Sequence, residues 1–393
     1  MVKSVLKMGL LAVALVAGMS AVRAGSALDT LVMPGANVLL SYDLKAVQST
    51  AIYKKFAAMA EAKKPEAAAK DKMSYEELKK LLEKHGIKEN DINDVSLAVA
   101  LKRVDVKNPE STKPEDVDLM FGMSLKKPVA IEQIEGLANE LMAQDGKPQE
   151  FKVVKKKLGS YKLLSFAPVK PSPKGDDPEL LVGLSDGGKL LFGGLSHSVK
   201  DAVKRMGSGK AAAPSAELAK LRGLIPAGAQ FSLVVALPEA LKQELRKPEP
   251  KPANQDMAAA MMGGAGDALK QIDGVAVDAT FAQNLDVNIN GYFAKPESAQ
   301  AVNMLVGNLL LMAKMSMGNP NAAKQPKMVE TLKCEAAPGA SVVKISCSVA
   351  PEDLEALKEK AEQQAQMMAM PGMTPPAAPA QGGAKVAPPA AGK

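Results

Sequence analysis

Four methionines near the C-terminal end, Met367, Met368, Met370 and Met373, form the densest group of soft donors in the chain. Thioethers hold copper(I), so the cluster is a candidate metal site. The competing reading is adaptable apolar filler at a helix end, and no histidine accompanies it. The chain has two histidines. His85 precedes Gly86 at an expected helix end, where a partly positive ring suits the dipole. His197 stands between Ser196 and Ser198, a neighbourhood that suggests acyl transfer. Yet Gly194-Leu195-Ser196-His197-Ser198 is not a G-x-S-x-G elbow, and adjacent side chains rarely converge. Capping of a helix by the serines is the expected role.

Other candidate chemistries fail on single residues. Lys204 to Ala211 resembles a phosphate loop, but Lys204 stands where its first glycine belongs and Ala211 where its magnesium-binding hydroxyl belongs. Asn90 to Asp94 begins like a calcium loop without its glycine or closing glutamate, and reads as a turn before a strand. Lys155-Lys156-Lys157 reads as a guarded strand edge. No histidine–cysteine spacing suits zinc, and no cofactor is expected. Carboxylates are plentiful, but sequence alone places no pair across a cleft, so a hydrolase stays open.

Cys334 and Cys347 share strand parity. A tight turn at Pro338-Gly339 would set Cys334 opposite Val343, too far from Cys347 for an S–S bond. A longer loop centred near Ala340 would bring them together, and the disulfide is left open on these grounds. The helix expected over Pro296 to Met317 carries two apolar stripes. Val302, Leu305, Leu309 and Met312 make the one that would cover a sheet. Met304, Leu311 and Met315 make a second, which needs a partner: the other half of the chain, another subunit or an apolar ligand.

These residues sit on a repeated order of elements. The first half opens with Gly35-Ala36-Asn37-Val38-Leu39-Leu40 and the second with Gly228-Ala229-Gln230-Phe231-Ser232-Leu233. A gapless second block aligns Val117-Asp118-Leu119 with Leu285-Asp286-Val287, and Leu137 and Leu141 with Leu305 and Leu309. The expected class is α+β: two pseudo-repeats of ferredoxin-like βαββαβ order plus an extra hairpin, their antiparallel sheets carrying helices on one face. Val38–Asp43 and residues 46–62 start the first repeat. Gly86, Gly159 and Asp186-Gly187-Gly188 mark a helix end and two hairpin turns. A short helix capped by Ser198 and Asp201 closes that repeat. Residues 328–335 and 342–349 form the last hairpin.

The amino end reads as a secretory signal peptide. Lys3 and Lys7 precede an apolar run from Met8 to Gly18, shorter than the ~20 residues of a spanning helix, and Val22-Arg23-Ala24 supplies small residues at −3 and −1. Cleavage is expected after Ala24. Loss of Lys3, Lys7 and Arg23 lowers the formal net charge from +7 to +4, a solubility surplus and no nucleic-acid footprint. Aromatics at 3%, with no tryptophan, disfavour stacking platforms for sugars or single strands. The layout expected is a leader at 1–24, a first repeat at 25–206, a linker at 207–225 and a second repeat at 226–368. Proline-, alanine- and glycine-rich stretches at 168–178, 247–266 and 369–393 read as disordered.

The run Leu81-Leu82-Glu83-Lys84-His85-Gly86-Ile87-Lys88-Glu89-Asn90-Asp91-Ile92, followed by a strand within paired halves, resembles exported bacterial α+β proteins of unassigned function. The resemblance implies a fold and carries no catalytic residue. The expected function is a non-catalytic binding or scaffold role in the periplasm or outside the cell, for an envelope partner. A carrier of an apolar, lipid-like ligand and an exported hydrolase are the alternatives.

Overall fold

The computed structural model describes residues 27–55, 75–102, 116–144, 151–169, 179–208, 213–247, 266–317 and 328–353. The expected leader, the methionine cluster at 367–373, the 369–393 tail and nearly all of the 168–178 and 247–266 stretches lie outside them.

The described residues are mixed α+β, built on one antiparallel sheet of twelve strands. In chain order these are β1 (Val38–Asp43), β2 (Ile92–Leu101), β3 (Val117–Leu125), β4 (Phe151–Leu158), β5 (Tyr161–Pro168), β6 (Leu180–Ser185), β7 (Leu190–Leu195), β8 (Phe231–Ala236), β9 (Ile272–Phe281), β10 (Leu285–Phe293), β11 (Lys333–Glu335) and β12 (Val342–Val349). Their spatial order is β11-β12-β10-β9-β8-β1-β2-β3-β7-β6-β5-β4. The ferredoxin-like order is not confirmed. Three consecutive strands form a meander in each half, and β1 lies between β2 and β8. The halves meet along β1 and β8, paired from Val38↔Val235 to Tyr42↔Phe231 with Leu40 opposite Leu233 at the centre.

Alternation along each strand sends neighbouring residues to opposite faces. On one face Val95, Leu97, Phe121, Met123, Leu164 and Val182 pack under three helices: α1 (Leu44–Gln48), α2 (Tyr75–Lys84) and α3 (Ile131–Gln144). On the other, Ala98, Met120, Leu163, Leu181 and Phe192 are roofed by a 3-10 turn at Ala27–Leu31 and by α4 (Ser196–Ser208) and α5 (Ala216–Arg222). The expectation of helices on one face is therefore corrected: strands such as β3 and β6 are apolar on both sides and need two covers. Within the stretch read as linker, Ser215 caps α5 by accepting from the Leu218 N–H at 3.1 Å, and Leu218 and Leu221 are buried.

The second half adds α6 (Glu239–Leu245), α7 (Pro296–Met317) and α8 (Met328–Thr331). Residues 328–331 are helical where a strand was expected. Thr331 joins this turn to β12: its hydroxyl accepts from the Ser348 N–H at 2.9 Å, and its single proton lies within reach of the Met328 carbonyl at 2.8 Å and the Ser348 carbonyl at 2.9 Å. α4 begins at Ser196, two residues before the expected cap at Ser198.

Candidate functional site

The groups that chemistry would use are anchored in separate clusters. Ser196 donates to Glu179 at 2.9 Å, and Ser165 and Lys156 donate to the same carboxylate. This ties the edge strand β4 and its neighbour β5 to the start of α4. Burial pushes the Glu179 carboxyl upward, but these three donors outweigh it and hold it below the ordinary glutamate range. His197 points elsewhere, to Asp118 on β3, which also takes Lys102 at 2.9 Å. Serine and histidine are thus held by different acids, and α4 is pinned at its first turn. Ser198, expected to cap, is buried with its hydroxyl unpaired.

His85 ends α2 as expected. Gly86 takes φ +80°, and the Ile87 N–H closes on the Leu82 carbonyl at 2.9 Å. Its ring meets Glu140 of α3 at 3.0 Å, and Lys84 reaches the same carboxylate at 2.6 Å. These bonds lower the Glu140 carboxyl. A Cβ at Gly136 would stand 2.9 Å from the His85 Cε1, so the glycine lets the ring pass against α3. Gln133 donates to the His85 carbonyl at 2.9 Å. The cluster is a helix–helix joint.

Sequence reasoning missed two polar sites in the sheet. Asp94 accepts from Ser124 at 2.7 Å and lies directly across from Asp43, which caps α1. Burial, together with that neighbouring carboxylate, raises it despite the serine. Asp278 on β9 is 1% exposed and accepts from Asn288 at 2.7 Å. Its second oxygen has no hydrogen-bond partner, and burial raises its carboxyl above the aspartate range. Ser41, Ser232, Asp278, Asn288 and Ser346 run side by side across five strands. Among the described residues no group of three histidine, cysteine or acidic side chains could hold a metal.

The cysteine register is neither of those considered from sequence. Cys334 faces Ile345 and Cys347 faces Val287, so the thiols are diagonal neighbours on one side of the sheet, both free. The tight-turn register opposite Val343 is corrected. Ser341 gives its carbonyl to the Phe293 N–H at 2.8 Å, which draws the loop toward β10 and lengthens it. The Cys334 thiol donates to Asn303 of α7 at 3.2 Å. Burial pushes both thiols up, away from reactive thiolate.

α7 is the outstanding surface. Ala299 and Val302 are buried against Phe293 and Val343, with Val306 packed beside them. Of the stripe expected to cover the sheet, Leu309 and Met312 are instead 51% and 67% exposed. The correction follows from helix geometry. Ala299, Val302 and Val306 line the inner face at spacings of three and four. Met312, six residues past Val306, turns away from that face, whereas Leu309 keeps the spacing but lies past the last packed residue, Val306, and is exposed there. Met304 and Leu311 of the second stripe are 64% and 59% exposed. Met315 belongs to the same helix, but its side chain is not among those described. No described helix is long and apolar enough to cross a membrane.

No family model, curated protein or solved structure matches the chain.

Proposed function

We propose that this chain is an exported, non-catalytic binding or scaffold protein of the cell envelope, and that α7 is its recognition element. The observation that carries the reading is the set of outward apolar side chains on α7, Met304 and Leu311 on one stripe and Leu309 and Met312 on the other, each more than half exposed. Isolated apolar residues on a surface are ordinary; four on a single helix form a patch of the kind that marks interaction sites. The engagement of Ser196, His197 and His85 in joints between elements also supports a binding role over hydrolysis.

The same reading takes the chain as a duplicated unit, on a register argument. Leu40 and Leu233, equivalent in the sequence alignment, face each other at the middle of the β1–β8 seam. Stepping outward, Asp43 leads to Asp94, Ser124 and Leu190, while its equivalent Ala236 leads to Gly274, Tyr292 and Val342. Ser124 and Tyr292 are separated by the same distance in sequence as the aligned pair Val117 and Leu285. Leu190 and Val342 share the separation of Gly187 and Gly339, turn glycines with φ +61° and +74°.

Photo-crosslinking from position 304 or 311 in the native cell tests the binding role, with positions 80 and 200 on other helices as controls. The expected result is a species captured only from α7, lost in the Met304→Asp/Leu311→Asp double variant. Capture no different from the controls would overturn the reading. Export is tested separately: the purified native protein should begin at Gly25.

A further inference from the structure

We infer that the partner of α7 is α7 of a second copy, packed antiparallel across a two-fold axis at the level of Val306. The inference rests on the binding role just proposed and names its occupant.

The first half shows what lies on this helix position. With Val117 and Leu285 equivalent, Gly136 and Glu140 of α3 correspond to Met304 and Asn308 of α7, and Gln133 corresponds to Ala301. On α3 these positions receive the end of α2: Gly136 beside the His85 ring, Glu140 on Lys84 and His85, Gln133 on the His85 carbonyl. On α7 the site is turned to solvent, with Met304 64% exposed. A helix fits there, as it does in the first half.

Charge selects which helix. The acid that holds α2 in the first half is replaced by neutral Asn308, and α7 carries no charge from Ser298 to Ala313. A basic or acidic partner would bury charge without a counterpart, which is costly. A neutral apolar helix is complementary, and α7 is one. Ala301, Met304, Asn308, Leu311 and Met315 fall at alternating spacings of three and four, the seam of an antiparallel coiled coil. Centred on Val306, that seam sets Ala301 against Leu311 of the other copy, small against large, and Met304 against Asn308. It also brings Glu297 to within one residue of the level of the other copy's Lys314, so the charges bracketing the neutral run are opposite in sign. A polar Asn within such a seam fixes register. Two-fold pairing of identical patches is the commonest way soluble chains assemble.

The full mature chain, in a Cys334→Ser/Cys347→Ser background, is to be measured by light scattering after size exclusion. The expected mass is twice that of the chain, falling to one chain in Met304→Asp/Leu311→Asp with an unchanged circular dichroism spectrum. Under oxidation, Ala301→Cys/Leu311→Cys should give a covalent dimer while Ala301→Cys alone does not. Crosslinking from Ala301→Cys alone, or a wild-type chain of single mass at every soluble concentration, overturns the proposal. If that monomer still captures a different protein or a lipid from position 304, the binding role survives and self-association does not. If it captures nothing, both fail.

Discussion

Asp278 is the residue whose surroundings fit it least. A carboxylate that is 1% exposed, with one oxygen satisfied by Asn288 and the other by nothing, is costly when charged. Its raised value fixes the sign of the linkage. The folded state binds the proton more tightly than the unfolded chain. The stability this residue contributes is therefore fully present below the ordinary aspartate range and is lost as pH rises through the folded value. Asp278→Asn should abolish that loss, stabilising the protein by about 1–3 kcal/mol on the neutral side and by little under acid. Thermal melts of both proteins from pH 4 to pH 8 measure it, and a variant that melts lower at pH 8 would refute it. Glu179 runs the other way. Its three donors hold it below the usual range, so its contribution is present above that range and fades as pH falls through the folded value. Glu179→Gln should weaken the joint that ties β4 and β5 to α4. Its signature is faster hydrogen exchange at the start of α4, and unchanged exchange there would count against the reading.

At the scale of elements, β11 is short and held by few contacts besides the Cys334–Asn303 bond. Three residues pair with β12, and the Thr331 hydroxyl bonds to Ser348 just before them. Thr331→Val keeps the shape and removes the hydroxyl. A cost of about 1–2 kcal/mol is expected, with exchange at 333–335 rising well above that of β10. Equal exchange in both proteins would show that β11 is held without the hydroxyl. This element also marks where sequence stopped being legible. The alternating apolar run at 328–335 resembles a strand, and nothing local announces that a hydroxyl will join its first turn to β12. Turns were legible because their glycines answer to backbone geometry: Gly86, Gly159 and Gly187 all take positive φ. Strand β1 was legible to its end residues. The pairing order was not, since it depends on β1 meeting β8 far along the chain. The outer stripe of α7 was visible in its composition, whereas Asp278 and the Glu179 hub were not. A buried polar residue in an alternating strand looks like a solvent-facing one.

The molecule as a whole is one sheet across two halves, so the halves should not be separable. Five residue pairs join β1 to β8, and the Tyr42 ring stacks edge-on against Phe231 across the seam with centroids 6.1 Å apart. Tyrosine fluorescence and far-ultraviolet dichroism should therefore report one coincident unfolding transition in urea. A fragment ending at Ser208 would bare the long side of β1, an unpaired edge that invites aggregation. Two resolved transitions, or a soluble folded fragment, would separate the halves after all.

The 3-10 turn at Ala27–Leu31 has a consequence for how the chain matures. Leu28 and Leu31, each 1% exposed, plug the sheet face over Gly122, where any larger side chain would collide with them. With the proposed processing after Ala24, Leu28 would be the fourth residue of the mature chain. Only three residues would then separate the new amino end from Leu28, so removal of the leader and seating of this plug would be closely coupled. Any label fused to the new amino end needs a spacer long enough to let that plug drop home.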